Sequence, residues 1–260
     1  MPTRRWRALG LVLAVLGSYM FADAGAANLE APTRAGGQPR KQVGCWWYHN
    51  IPRYTNRTLA SLEPGTCTFV DIGSACAFTI LPNGSLSTRD PACNEQTESI
   101  VADARLVRQS QPDLEFKWVL QADSPSTFTA VWNSTALTDR LVGEIADWAS
   151  VHKDIANGWT LDFETHYSGD ETAAKAGLTR FLAGLKARTG RGMNWWGWLY
   201  AFKNLADVAA VQPFIEFLET GGYYNDLTSR NPHIFELSDV DELISSYGYK
   251  PEQVRACPSG

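Results

Sequence analysis

The sequence predicts an α/β fold, a TIM-type (β/α)8 barrel that stops near its seventh strand. Three observations point there. From residue 42 onward, apolar, β-branched and aromatic runs alternate with helix-period segments, the order expected of a parallel sheet covered by helices. The runs are nearly continuous in hydrophobicity, as strands buried on both faces are. About 230 residues carrying seven such units suit a barrel better than two small domains. An open doubly wound sheet is the alternative, but no G-x-G-x-x-G follows the first strand.

The chain opens before the barrel. Arg4, Arg5 and Arg7 precede an apolar stretch from Ala8 to Ala22, and small residues follow in ADAGAAN. This order predicts a secretory signal peptide over 1–27, with cleavage near Ala24 or Ala27. The apolar stretch is interrupted and short for a membrane anchor. Residues 28–41, rich in Ala, Pro, Gly and basic residues, predict a disordered leader. The barrel domain is expected over 42–260.

Its strands are expected at QVGCWWY (42–48), CTFVDIGSACAF (67–78), EFKWVLQA (115–122), GWTLDFE (158–164), MNWWGWLYAF (193–202) and FIEFLETG (214–221). Leu137, Leu141, Ile145 and Trp148 recur at helical intervals, as do Leu178, Phe181, Leu182 and Leu185. The second of these helices, 170–189, begins with the acidic turn DETAA and ends near Gly190, as the helix dipole and C-cap preferences favour.

Composition limits the partners. The formal charge is −5 and falls to about −7 once residues 1–24 are removed, so there is no electrostatic case for nucleic acid. No segment after the leader is apolar enough to cross a membrane. The five cysteines fit an oxidising compartment, and neither they nor the four histidines show metal-ligand spacing, so no metal or cofactor is expected. Asn56-Arg-Thr, Asn83-Gly-Ser and Asn133-Ser-Thr are glycosylation sequons, consistent with a secreted, extracellular protein; a monomer is expected. Ten Trp is a high count. Core packing is the usual use of each, and stacking on sugar rings is the functional one. Trp47 or Tyr48, and Trp198 or Tyr200, lie nearest expected C-terminal strand ends and are the candidates for stacking.

The stretch NGWTLDFETHY (157–167) carries the chemistry. Thr160, Asp162 and Glu164 alternate with Leu161 and Phe163, so two carboxylates share one face of a strand. Asn157-Gly158 is a hairpin signal, but DWASVHKDI before it continues a helical pattern, so the pair more naturally ends a helix. A solvated face fits poorly in a sheet covered on both sides. Structural pairing of the acids with Arg or Lys stays open. Burying two unpaired carboxylates inside a barrel costs several kcal/mol unless one is protonated or they share hydrogen bonds. Active sites on this fold lie at the C-terminal strand ends.

Asn157 to Glu164 resembles the D-G-x-D-x-D-x-E signature on the fourth strand of glycoside hydrolase family 18, the chitinase family. VGCWWY with CTFVDIGSACAF resembles that family's first two strands. WVLQAD with the helix through DWA resembles its third strand and the helix leading into the motif, and YGYKPEQVRACPSG its approach to strand seven. The resemblance spans residues 43–260. It implies a secreted glycosidase that hydrolyses β-1,4-linked N-acetylglucosamine polymers, chitin or related glycans, with retention. Glu164 would be the general acid/base, and Asp162 the partner of the acetamide N–H. The substrate's own N-acetyl carbonyl would act as nucleophile, the substrate-assisted exception to the two-carboxylate scheme. It also implies a Cys45–Cys67 disulfide. Cys76 with Cys93 is a guess, which leaves Cys257 over.

Four departures accompany the resemblance. Asn157 and Thr160 stand where the family has aspartates, and Thr160, placed for substrate contact, cannot share a proton with Asp162. The S-x-G-G after strand three is replaced around Gln121, Ala122 and Asp123. The M-x-Y-D of strand six aligns with Leu218-Glu219-Thr220-Gly221. The sequence also ends at the expected seventh strand, so the barrel is read as incomplete. The competing expectations are a glycan-binding lectin of little or no activity on the same fold, or a fragment with neither function.

Overall fold

Seven parallel strands make one continuous sheet in a computed structural model of the chain, which describes residues 43–48, 59–73, 78–87, 97–122, 124–163, 169–197, 199–220 and 237–256. All of these fall in one compact unit, Gln42–Gly260. The signal segment 1–27 and leader 28–41 lie outside the described residues.

The strands are β1 (Gly44–Tyr48), β2 (Phe69–Gly73), β3 (Phe78–Ile80), β4 (Leu86–Ser87), β5 (Glu115–Ala122), β6 (Gly158–Phe163), β7 (Met193–Gly197), β8 (Ile215–Thr220) and β9 (Val254–Ala256). Their lateral order is β1-β2-β5-β6-β7-β8-β9, every step parallel. β3 follows β2 along the same edge of β5, and the short β4 pairs antiparallel with β3 through the turn at Asn83-Gly84, where Gly84 has φ +74°. The helices are α1 (Thr97–Ser110), α2 (Pro125–Trp132), α3 (Thr135–Val151), α4 (Glu171–Thr189), α5 (Leu199–Asn204), α6 (Val208–Val211) and α7 (Leu237–Ser245). The expected α/β class and partial barrel are what the chain forms.

Local chemistry sets the helix ends. The Asp170 carboxylate accepts from the Thr172 N–H at 2.8 Å at the start of α4, and Gly190 closes that helix at φ +71°. An N-cap of this kind stabilises by about 1 kcal/mol, and the left-handed C-cap favours a residue with no Cβ. Leu178, Phe181, Leu182 and Leu185 are all buried, as their spacing requires.

The sheet is curled, and contacts between distant strands measure the curl. β1 and β7 stand four positions apart, ~19 Å in a flat sheet. Yet the rings of Trp46 and Trp196 meet edge to face at 4.5 Å between centroids. Phe69 of β2 likewise stacks on Phe217 of β8 at 6.3 Å. These residues alternate with others that face the helices. On that outer side Phe78, Trp118, Trp148 and Trp159 interlock with centroids 4.9–5.7 Å apart, which locks α3 onto β3, β5 and β6. Trp118, Trp132, Trp148, Trp159 and Trp195 thus serve the helix-side packing, the ordinary use of Trp.

One expected strand is corrected. MNWWGWLYAF does not run extended from 193 to 202: β7 ends at Gly197 and α5 begins at Leu199. A Cβ on Gly197 would lie 2.8 Å from the Phe163 carbonyl oxygen, so the strand end approaches β6 more closely than any other residue allows. The chain then folds back, and Phe202 packs edge to face on Trp195 at 4.9 Å. The expected 67–78 strand is found as β2 and β3, with 74–77 outside the described residues. Cys45 and Cys67 form the expected disulfide, with Cα atoms 5.9 Å apart. Beside it the Val43 N–H donates to Thr68 Oγ1 at 2.7 Å, fastening the start of β1 to β2. Cys76, Cys93 and Cys257 lie outside the described residues.

Candidate functional site

A parallel sheet places all its strand C-termini on one side, and the inward face at that end carries the candidate site. Asp162, Trp196 and Glu219 are each the penultimate residue of their strand and stand side by side in the register of β6, β7 and β8. Asp162 is half-buried and Glu219 buried. Trp46 reaches across from β1 to complete an aromatic wall against Trp196.

One layer deeper lies a polar network. Thr160, Asn194 and Asp71 are wholly buried. The Thr160 hydroxyl donates to Asp71 Oδ1. The Asn194 amide donates through Nδ2 to Glu219 Oε1 at 2.7 Å, and its Oδ1 accepts from Lys117 Nζ at 3.1 Å. Lys117 is 1% exposed and also bonds Glu216 Oε2 at 2.6 Å. Its ammonium sits 5.2 and 5.4 Å from the ring centres of Phe69 and Phe217. Burial pushes the Glu216 carboxyl up, but Lys117, helped by Lys186 and Arg191, outweighs it and holds the group below the usual glutamate value. A buried amine is tolerable only with such partners. Gly158 makes room for it, because a Cβ there would stand 3.3 Å from Lys117 Cγ.

The described part of the inward face carries the carboxyl groups of Asp71, Asp162, Glu216 and Glu219 around the Lys117 ammonium, and Glu219 stands in register with Arg255 of β9. Such a surface supplies acceptors for hydroxyl and amide N–H groups. Among the described residues no group of three or more His, Cys, Asp or Glu is arranged to hold a metal ion.

The residues singled out from the sequence divide into several groups. Asp162 and Thr160 lie on the inward face as expected. Glu164 and Trp198 lie outside the described residues, as does Asn56. The backbone of Tyr48 pairs with Gly73 at the end of β1, and its side chain is outside the described residues. Trp47 is part-buried and packs against the helix-side core, on the opposite face of β1 from Trp46. Tyr200 sits on α5, not on a strand, and its hydroxyl donates to Glu171 Oε1 at 2.7 Å, which raises its own proton affinity. Asn83 is exposed in the β3–β4 turn, and its Oδ1 accepts from the Ser85 N–H and hydroxyl at 3.0 and 2.7 Å. Asn133 is exposed at the C-cap of α2.

Asn157 and Gly158 do not end a helix as expected, for α3 stops at Val151 and Asn157 stands directly before β6, where it has a structural place. Its Oδ1 accepts from the Phe116 N–H at 3.0 Å and from Arg108, at the opposite end of β6 from Asp162. Asp71, Lys117, Asn194 and Trp46 escaped the sequence reading. The signal for Asp71 was present: FVDIG puts one carboxylate in the middle of an otherwise apolar strand.

No family model matches this sequence, and no curated protein does. Solved structures do match. Catalytic domain 2 of the group II chitinase from Ostrinia furnacalis, in complex with an N-acetylchitooligosaccharide, shares 12% identity at a TM-score of 0.65, covering 83% of this chain and 63% of that one. A class V chitinase from Nicotiana tobaccum in complex with NAG4 shares 11% at 0.63, covering 84% and 66%. A chitinase from Bacteroides thetaiotaomicron shares 14% at 0.63, covering 82% and 65%. The chain spans just under two thirds of the length of each. Its fold is that of the chitinase barrels, as the resemblance of residues 43–260 implied.

Proposed function

We propose that this chain is a secreted, extracellular chitinase-like glycoside hydrolase acting on β-1,4-linked N-acetylglucosamine polymers by a retaining, substrate-assisted reaction. One observation carries the reading. Asp162 stands half-buried at the C-terminal end of the fourth parallel strand, on the inward face and in register with Trp196, within a chitinase-type fold.

Glu164, two residues beyond Asp162 in the motif, is the general acid/base. It gives its proton to the glycosidic oxygen as the bond to the anomeric carbon breaks. The substrate's N-acetyl carbonyl oxygen then bonds that carbon and forms an oxazolinium ion. Asp162 accepts the acetamide N–H, which aims the carbonyl and offsets the positive charge. Water, losing its proton to Glu164, opens the ring from the opposite face, so the configuration is retained. Trp46 and Trp196 offer ring faces and edges to the sugar. Signal cleavage, glycans at Asn56, Asn83 and Asn133, and a monomeric state belong to the same reading.

A lectin on this scaffold is the second reading. Thr160 favours it, because its hydroxyl proton goes to Asp71 and the family's aspartate pair is not formed. The test is hydrolysis and binding of chitotetraose by the chain and by Glu164→Gln, with the product anomer read by NMR. The expected result is a retained anomer and a loss of about 10²–10⁴-fold in the variant. Cleavage that survives in Glu164→Gln sinks the assignment of the acid, and binding without turnover by the native chain selects the lectin.

A further inference from the structure

Helix α1 grips the segment 152–157, which leads from α3 into β6, at two points. At the far end Arg108 donates to Asn157 Oδ1. At the near end the Arg105 guanidinium pairs twice with Asp154, 2.8 Å from Nε to Oδ2 and 3.3 Å from Nη2 to Oδ1. The same Nη2 stands 3.3 Å from His152 Nδ1. The His152 ring also lies against Trp148, with centroids 4.4 Å apart. Trp148 in turn packs on Phe78, Trp118 and Trp159, the aromatic layer behind the sheet. That layer holds the segment from inside, since Trp118 Nε1 donates to the Ile155 carbonyl at 3.2 Å.

The chemistry of the contact fixes the state of the ring. A guanidinium only donates and keeps its proton at any ordinary pH. His152 Nδ1 must therefore be the acceptor, which puts the ring proton on Nε2. An imidazolium carries a proton on both nitrogens. Protonation thus removes the bond from Arg105 and sets two cations side by side. Among the described residues, the charged groups that bear on the ring are Arg105 and Glu98 of α1 and Asp154 of the segment itself. Asp154 is already paired with Arg105. Burial, then Arg105, outweigh the two carboxylates and hold the ring below the ordinary histidine value.

We propose that His152 is a pH-sensitive latch: its neutral ring fastens α1 to the segment entering β6, and its imidazolium releases it. The latch is independent of the glycosidase reading. Arg108 and Asn157 do not titrate in this range, so the far grip persists and only the near end loosens. The closed segment binds the proton more weakly than the open one. Opening is therefore suppressed above about pH 6.5 and increases as pH falls through the value of the folded ring.

The test follows the His152 ring by NMR titration of the full chain, assigned among its four histidines with His152→Gln. Opening is followed by hydrogen exchange of the Trp118 indole N–H, which is wholly buried and bonded to the segment. The expected result is a ring that titrates below the ordinary histidine value, with a midpoint that rises in Arg105→Gln. Exchange, corrected for its intrinsic pH dependence, increases in acid by about tenfold for each pH unit between the midpoints of the open and closed rings. His152→Gln keeps an acceptor for Arg105 but does not titrate, so this increase disappears. A His152 midpoint at or above the ordinary value overturns the proposal, for then Asp154, Glu98 and the Trp148 face win. A midpoint unmoved in Arg105→Gln overturns it too, as does the same acid increase in exchange with and without His152.

Discussion

Lys117→Met tests the inner network most directly. Methionine keeps the length and apolar stem of lysine and still fills the space between Phe69 and Phe217. What disappears is the ammonium: the 2.6 Å bond to Glu216, the 3.1 Å bond to Asn194 Oδ1, and the attraction to two aromatic faces. Removing one member of a buried ion pair costs about 3–5 kcal/mol, mostly because its partner is left charged and unpaired. The Glu216 side chain is 32% exposed, so water takes up part of that charge and the low end applies, about 3 kcal/mol. For a domain of this size that lowers Tm by about 6–12 °C. Urea unfolding followed by tryptophan fluorescence measures the loss. Adding Glu216→Gln removes the stranded carboxylate, so the double variant should be more stable than Lys117→Met alone. A Lys117→Met protein within about 0.5 kcal/mol of wild type refutes the reasoning, for that is the range of an ordinary surface substitution. Equal costs in single and double variants refute the pairing.

Two further outcomes follow from particular contacts. Glu216 titrates below its ordinary value near 4.5 in the folded protein, so the unfolded chain binds its proton first as pH falls. Its stabilisation is complete above about pH 4.5 and is lost as pH drops through the folded value. Glu216→Gln should flatten the fall in stability below that pH, and an unchanged slope in acid melts counts against the Lys117–Glu216 pair. Gly177→Ala would place a Cβ 2.1 Å from the Trp132 carbonyl oxygen and 2.7 Å from its Cα. Those are backbone atoms that cannot swing aside, so α2 and α4 must separate at a cost of about 2–3 kcal/mol. A melting temperature equal to wild type would show that the two helices do not touch there.

The sequence by itself determined the parallel αβ order, the helices α3 and α4 with both ends of α4, and the face on which Asp162 stands. These are periodic or local properties: apolar recurrence every three or four residues, alternation every second one, and a carboxylate or glycine at a helix end. The same phase, followed along β1, separates Trp46 from Trp47, yet position near a strand end drew attention to Trp47. The limit of local reading is plain in MNWWGWLYAF, where Trp, Leu, Tyr and Phe serve strand and helix equally. Only the approach of Gly197 to the Phe163 carbonyl and of Phe202 to Trp195 decided that the strand stops. The partners across the inward face were beyond any pattern. Asp71 with Thr160, Lys117 with Glu216, and Trp46 with Trp196 are 89, 99 and about 150 residues apart and sit on strands that do not pair. They meet because strand twists accumulate into curvature, a property of the whole sheet that no single segment encodes.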